Sequence, residues 1–250
     1  KLDWTTFFDN TEGLEPAVVP EVGDGVAIEA QGSLVMDAFG VVLVKGSFKV
    51  QLGTVTELGD DHLVGGTGAN KDTEYQAMVL TLGSGAFSGA SAVEVFIGVG
   101  GELQDNPGGT GTPLDYSDDE INVESGLGFY ASLESMSLVT LKDNNGTPTN
   151  ATDDKSYLGL DLSDLSASLV GIDGLTLGVY DVGLKVNQAS DTDNIVATVP
   201  AKLDWTTFFD NTEGLEPAVI PQVGSGVEIE AQGSLVLDAF GVVLVKGSFK

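Results

Sequence analysis

The densest group of side chains that could do chemistry is the run Asp115-Tyr116-Ser117-Asp118-Asp119-Glu120. Its oxygen atoms are the hard ligands that calcium prefers, and calcium takes about six to eight of them in flexible geometry. The run does not follow the EF-hand pattern, which needs D-x-[DN]-x-[DN]-G and a glutamate at the twelfth position. From composition we predict a calcium site formed by Asp115, Asp118, Asp119 and Glu120. The alternative is that these carboxylates only keep the protein surface hydrated.

Catalytic side chains are scarce. The chain has no cysteine and one histidine, His62, which follows Asp60 and Asp61 in a polar segment. No serine-hydrolase elbow, zinc-protease helix or phosphate-binding loop surrounds a candidate nucleophile or base. A chance pair of carboxylates is expected among 38 acidic residues, so such a pair does not indicate a glycosidase. The sequence therefore predicts that the protein is not an enzyme.

The charge of the chain limits its partners. Ten lysines, no arginine and 38 acidic residues give a net charge of −28. Such a surface repels nucleic acid and anionic membranes, and it has no guanidinium group to hold a phosphate. No apolar run approaches the roughly 18 residues that a membrane-spanning helix needs. We therefore expect no nucleic-acid partner and no direct insertion into a membrane.

The organisation of the chain is set by a repeat. Residues 1–49 return as residues 202–250 at an offset of 201 without a gap, and five positions differ. We call these segments the first copy and the second copy. The near identity predicts that residues 1–201 form one complete tandem-repeat unit and that residues 202–250 are the first quarter of the next.

Alternating apolar residues predict an all-β fold. The clearest strand is Val42–Leu52, and further rows run through Val93–Val99 and Leu158–Leu162. A change of alternation near Tyr180–Asp181 predicts a bulge or turn. The other predicted strands are Val26–Met36, Tyr75–Leu82, Ile121–Ala131, Leu133–Leu141, Leu165–Val170, Leu175–Val186 and Ile195–Val199.

Helix is expected only in short pieces. The main candidate is Leu2–Phe8, where Asp3 could cap a turn whose aromatic residues plug the end of a β core. Long loops are predicted at 59–72, 104–120 and 143–155. The junction Ala189–Lys202 has no flexible tether, so adjacent units are expected to share sheet structure. We predict an elongated, stacked β architecture, either solenoid-like or made of sandwich or barrel units in tandem.

Several longer strings of the sequence carry a resemblance. They are SGASAVEVFIGVGGEL, DYSDDE, SGLGFYASLESMSLVTLKD, KSYLGLDLSDLSASLVGIDGLTLGVYDVGLKVNQASD, LDWTT and GSLVLDAFGVVLVKGSF. Their succession resembles the repeat unit of very long bacterial tandem-repeat surface proteins, which are described as adhesin-like. The resemblance implies an extracellular, array-forming β protein at a bacterial cell surface, and it assigns no catalytic residue.

These observations lead to two functional expectations. The first is a structural building block of a long extracellular stalk, fibre or sheath that contributes to adhesion or matrix. Its partners would be neighbouring repeats of the same chain and other copies of the protein in a fibre. The second is a calcium-dependent module that binds a glycan or a protein through the acidic loops.

Overall fold

A computed structural model describes residues 22–59, 72–105, 119–144, 151, 154–192 and 199–250. The strands are β1 (Val26–Ala38), β2 (Val42–Glu57), β3 (Thr73–Gly83), β4 (Val93–Val99), β5 (Glu102–Gln104), β6 (Glu120–Asn122), β7 (Leu127–Asp143), β8 (Lys155–Val170), β9 (Leu175–Asp191), β10 (Thr212–Gly214), β11 (Ile229–Ala239) and β12 (Val243–Phe249). A short helix, α1 (Trp205–Phe208), is followed by a 3-10 turn over Phe209–Asn211.

Across these described ranges, ten strands form one antiparallel sheet in the order β1-β2-β3-β7-β8-β9-β11-β12. Strand β4 lies end to end with β3 between β2 and β7, and β10 pairs with the end of β2. Strands β5 and β6 form a separate two-stranded sheet. The predicted all-β fold with short helices is confirmed. The stacking of several such units stays a prediction.

The sheet has two chemically different faces because successive side chains of a strand point in opposite directions. In β3, Tyr75, Ala77 and Val79 are buried on one side, which we call the inner face. Gln76 and Met78 point to the other side, the outer face, and are exposed. The main hydrophobic core of the described residues therefore lies against the inner face.

The outer face carries apolar rows that cross the strands. One row runs through the successive partners Val50, Leu80, Leu138, Leu160, Val186 and Ile229. A neighbouring row runs through Phe48, Leu82, Met136, Leu162 and Leu184. Cross-strand pairs of this kind stabilise a sheet. They also fix its register, because a slip of one residue would move every one of these side chains to the inner face.

Most predicted strands are confirmed. The sequences Val26–Met36, Val42–Leu52 and Tyr75–Leu82 lie in β1, β2 and β3, and Val93–Val99 is β4. The predicted irregularity near Tyr180–Asp181 is confirmed as well. Asp181 has a φ of +53°, and β9 shifts its register against both β8 and β11 in this region.

Three predicted boundaries are wrong. Ile121–Ala131 is not one strand, because a turn closed by Gly126 N donating to Val123 O over 2.9 Å separates β6 from β7. Leu133–Leu141 and Leu165–Val170 are not separate strands either, since each continues an uninterrupted strand, β7 or β8. Pairing with neighbours along the whole length overrides the local polar residues, and Asp164 at a φ of +55° absorbs an irregularity inside β8.

Some predictions fall outside the described residues. They include the helix at Leu2–Phe8, most of the strand at Ile195–Val199 and most of the three predicted loops.

The hairpins of the two copies fold alike. In the hairpin β1–β2, Gly32 lies opposite Phe48, and in β11–β12 their counterparts Gly233 and Phe249 are partners. Both turns place a phenylalanine and a glycine, Phe39-Gly40 or Phe240-Gly241, at positive φ. In each turn an aspartate accepts from the glycine amide, with Asp37 Oδ1 at 2.7 Å and Asp238 Oδ1 at 3.0 Å. The repeated sequence therefore specifies the same hairpin twice.

Candidate interface between the repeat copies

The second copy begins with a capped helical turn. Asp204 is the N-cap of α1, and its Oδ1 accepts from Thr206 N at 3.2 Å. The cap satisfies a backbone donor that the first turn leaves without a partner. Asp204, Trp205 and Phe208 correspond to Asp3, Trp4 and Phe7, so the second copy shows the capped aromatic turn that the sequence predicts for the first.

Residues 203–227, which we call the covering segment, pack on the inner face of the sheet. The segment contributes Trp205, Phe208, Leu215 and Val223 to the main core cluster, and all four are buried. The sheet contributes Val55, Tyr75, Ala77, Val79, Val139, Leu141 and Tyr157. Most of this core is therefore formed between the second copy and the strands that precede it in the chain.

The aromatic rings of the core meet edge to face. The ring centroids of Trp205 and Phe208 are 5.9 Å apart, and those of Phe208 and Tyr75 are 5.8 Å apart. Tyr75 in turn contacts Tyr157 at 6.0 Å. Such pairs add about 0.5–1.5 kcal/mol each beyond the area they bury. They link the covering segment to β3 and β8 in one cluster.

The indole of Trp205 lies directly on the backbone of β8 at Gly159. A Cβ added at Gly159 would lie 2.4 Å from Trp205 Cε2, which is far inside van der Waals contact. Trp205 is completely buried. A residue without a side chain is therefore required at this point of β8 for the indole to seat.

Asn187 in β9 joins the indole to the irregular backbone of the covering segment. Its Oδ1 accepts from Trp205 Nε1 at 3.1 Å. Its Nδ2 donates to Leu203 O at 2.8 Å and to Gly224 O at 3.0 Å. The side chains of Asn187 and Trp205 are both completely buried, so removal of the Asn187 side-chain amide would leave the indole N–H without a hydrogen-bond partner.

Other polar side chains of the inner face also bind the backbone of the covering segment. Ser137 Oγ donates to Val219 O, and Lys185 Nζ donates to Gln222 O at 2.6 Å. Asp161 Oδ2 accepts from Gln222 N at 2.8 Å. The inner face thus offers donors and acceptors at the positions where the covering segment has no regular backbone partners.

The second copy also extends the sheet itself. After the covering segment, β11 pairs with β9 in ten registered positions, from Ile229 opposite Val186 to Ala239 opposite Leu175. At the far side of the sheet, Leu215 N donates to Thr54 O at 2.9 Å, and β10 pairs with β2. The second copy is therefore held by core packing, by polar contacts and by strand pairing.

Burial raises the pKa values of the core tyrosines. Tyr75 OH donates to Glu57 Oε2 at 2.8 Å, and burial followed by the charge of Glu57 raises the Tyr75 pKa well above its ordinary value. Burial, with the carboxylates of Asp143 and Glu57, raises the pKa of Tyr157 to about 12. Both phenols therefore stay protonated to a higher pH than an exposed tyrosine does.

The predicted calcium residues are only partly described. Asp115 and Asp118 lie outside the described residues. Asp119 is buried, and its carbonyl oxygen accepts from Lys45 Nζ, whereas Glu120 is exposed at the start of β6. Within the described ranges, no three acidic or histidine side chains converge as metal ligands would. Calcium binding stays a prediction, and His62 also lies outside the described part.

The sequence pattern alone did not predict the roles of Gly159 and Asn187. The sequence does place Asn187 on a polar strand face, because Lys185 and Asn187 alternate with Leu184 and Val186. This alternation marks a polar face but does not say that the face is covered. The strand glycine carries no comparable signal.

Comparison with protein-family models, curated proteins and solved structures gave no match for this chain. The resemblance to giant bacterial surface proteins therefore stays a prediction. No helix in the described part of the chain has the length and apolar character needed to cross a membrane.

The seat of Trp205 can be tested by adding one methyl group. We expect Gly159→Ala to lower the free energy of unfolding by about 1–3 kcal/mol, because the new Cβ overlaps the indole. Gly183→Ala, in the neighbouring strand β9, is the matched control. A Cβ added at Gly183 would meet no atom closer than 3.5 Å. Urea unfolding of both variants measures the difference. Equal stability of the two variants would show that the indole does not lie on Gly159.

The calcium prediction can be tested by thermal unfolding in chelator and in calcium. At a calcium concentration 100 times its dissociation constant, a site confined to the folded state adds about 2.7 kcal/mol of stability. For a chain of this size that raises the melting temperature by about 5–10 °C. Magnesium should not reproduce the shift, and Asp118→Ala with Asp119→Ala should abolish it. If calcium leaves the melting temperature unchanged, the carboxylates act as a solvating surface.

Proposed function

We propose that this chain is a structural tandem-repeat building block in which each unit is completed by the beginning of the next. The observation that carries the proposal is the docking of the second copy. Residues of the second copy cover the inner face of the preceding strands, and β11 continues their sheet through β9. The start of one unit thus supplies both core and strand to the unit before it.

This arrangement makes the joint between units stiff. A joint made of backbone pairing and a shared core resists bending, in contrast to the flexible connection that a Gly/Ser-rich linker gives. Stability then becomes a sum of terms for each unit and for each contact with its neighbour. Repetition of the same joint extends the sheet in one direction, which suits a stalk, fibre or sheath.

The composition supports an exposed setting for such an array. A net charge of −28 keeps a long polymer hydrated and apart from anionic surfaces. We place the array outside a bacterial cell, where it contributes to adhesion or matrix, and this placement rests on the resemblance of the sequence strings.

Hydrogen exchange on the intact chain tests the joint. The backbone N–H of Asn187 donates to Glu228 O at 3.0 Å. We expect this N–H to exchange as slowly as the central backbone N–H groups of β8. The amides of Ile229–Ala239 that face β9 should be protected to the same degree. Fast exchange of β11 beside a slowly exchanging β8 would describe independent units on a string and would contradict the proposal.

The cellular role is tested by surface labelling. Antibodies raised against the folded chain should label unpermeabilised cells of the source organism and mark extended structures beyond the cell envelope. Deletion of the gene should remove these structures and reduce attachment to surfaces. Labelling that appears only after permeabilisation would rule out a role at the cell surface.

A further inference from the structure

The outer edge of β1 is an open strand edge. In the order of the sheet β1 is terminal, and within the described residues it pairs only with β2. Open edges of long strands are sites where another strand can add by backbone pairing. The question is which strand fits this one.

The second copy identifies the fitting strand, because β11 is the counterpart of β1 and its corresponding edge is paired with β9. Residues 28–38 and 229–239 differ only at Met36 and Leu237. Strand β11 uses this edge to pair with β9, and Leu237 lies opposite Leu177. Strand β1 pairs with β2 in the same register in which β11 pairs with β12. The edge of β1 therefore matches a β9 strand, with Met36 opposite Leu177.

The first copy also carries the residues with which the covering segment packs into the core. Trp205, Phe208, Leu215 and Val223 have identical counterparts in the first copy. The five differing pairs are Val19/Ile220, Glu21/Gln222, Asp24/Ser225, Ala27/Glu228 and Met36/Leu237.

None of these differences removes a contact of the buried aromatic cluster or of Asn187. Gln222 accepts from Lys185 Nζ through its carbonyl oxygen and donates to Asp161 through its backbone N–H, and Glu21 has both of these backbone groups. The ion pair of Glu228 with Lys202 has no equivalent with Ala27, but Glu228 is 81% exposed, so its contribution is small.

We infer that the first copy of one molecule can replace the second copy of another molecule on its inner face and β9 edge. The inference rests on the proposed joint between units and names its partner, a second molecule of this chain. The bound second copy is favoured because it is tethered to the same chain and so has a high effective concentration. Exchange therefore grows with protein concentration, and it grows when the resident copy is weakened.

The exchanged contact joins different surfaces of the two molecules. A first copy binds an inner face and a β9 edge, so the interface is heterologous and propagates head to tail. Separate molecules would then extend the same array that consecutive units form within one chain.

Cysteine cross-linking tests the register, since the chain has no cysteine of its own. One chain carries Met36→Cys and the other carries Leu177→Cys. Directly opposite residues of antiparallel strands are close enough for a disulfide. We expect a disulfide-linked heterodimer whose yield rises with concentration. Leu237→Cys with Leu177→Cys in one chain is the positive control, and Ile28→Cys in place of Met36→Cys is the control for a wrong register.

Matched tryptophan variants test the exchange itself. In the chain with Leu177→Cys, Trp205→Ala weakens the resident copy and should raise the heterodimer yield at least tenfold. In the chain with Met36→Cys, Trp4→Ala weakens the incoming copy and should reverse that gain. If Trp205→Ala prevents folding, Val223→Ala with its counterpart Val22→Ala replaces the pair, because it trims the same core more mildly.

Two results would overturn the inference. The first is no heterodimer at millimolar concentration with a weakened resident copy. The second is a heterodimer yield that Trp4→Ala leaves unchanged. That result would indicate association through the apolar outer face. Either result with normal protection of Asn187 and β11 in hydrogen exchange leaves the joint between units intact. Loss of that protection in the unmodified chain would end both proposals.

Discussion

The burial of the Trp205 indole against bare backbone is the contact on which the rest of this structure depends. The ring reaches the surface of β8 only because Gly159 leaves the strand open at that point. Its ring edge contacts Phe208, and its Nε1 is fixed by Asn187. Removing a buried tryptophan typically costs about 3–5 kcal/mol, a large share of the stability of an ordinary domain. One side chain of the second copy therefore holds much of the preceding sheet's core.

A second constraint follows from the irregular form of the covering segment. Apart from α1, the 3-10 turn and β10, its backbone lacks regular partners, yet its buried side chains hold it against a sheet. Buried carbonyl and amide groups need hydrogen bonds. The sheet supplies them from Asn187, Ser137 and Lys185, which explains why a strand face that supports a hydrophobic core also carries polar residues. The outer face bears no such segment in the described residues, and the two rows that run through Val50 and Phe48 are apolar.

Under the proposed function, the duplication makes these contacts the means by which units are joined. In that proposal each unit offers the surface that receives the start of the next. The joint is directional, since the start of a unit is the incoming part and the inner face with β9 is the receiving part. A directional joint of this kind is heterologous and can repeat head to tail, in contrast to an isologous dimer.

The sequence by itself determined the strands, their alternation and the repeat. The rows in β2, β4 and β8 could be predicted because period two is a local property of an extended chain. The bulge near Asp181 and the capped turn before Phe208, predicted from its twin in the first copy, were equally local. The acidic run at Asp115–Glu120 could be named only by its composition, and the structure describes just its last two residues.

Only the tertiary structure decided which strands pair and what covers each face. The residues around Gly159 do not indicate that it lies under an indole 46 positions later in the chain. Those around Asn187 do not indicate that it binds two carbonyl groups of the covering segment. The merging of Leu133–Leu141 into a single long β7 likewise depended on pairing with β3, β4 and β8. Contacts between residues far apart in sequence are set by the free energy of the whole packed arrangement. The pattern of any one segment therefore does not encode them.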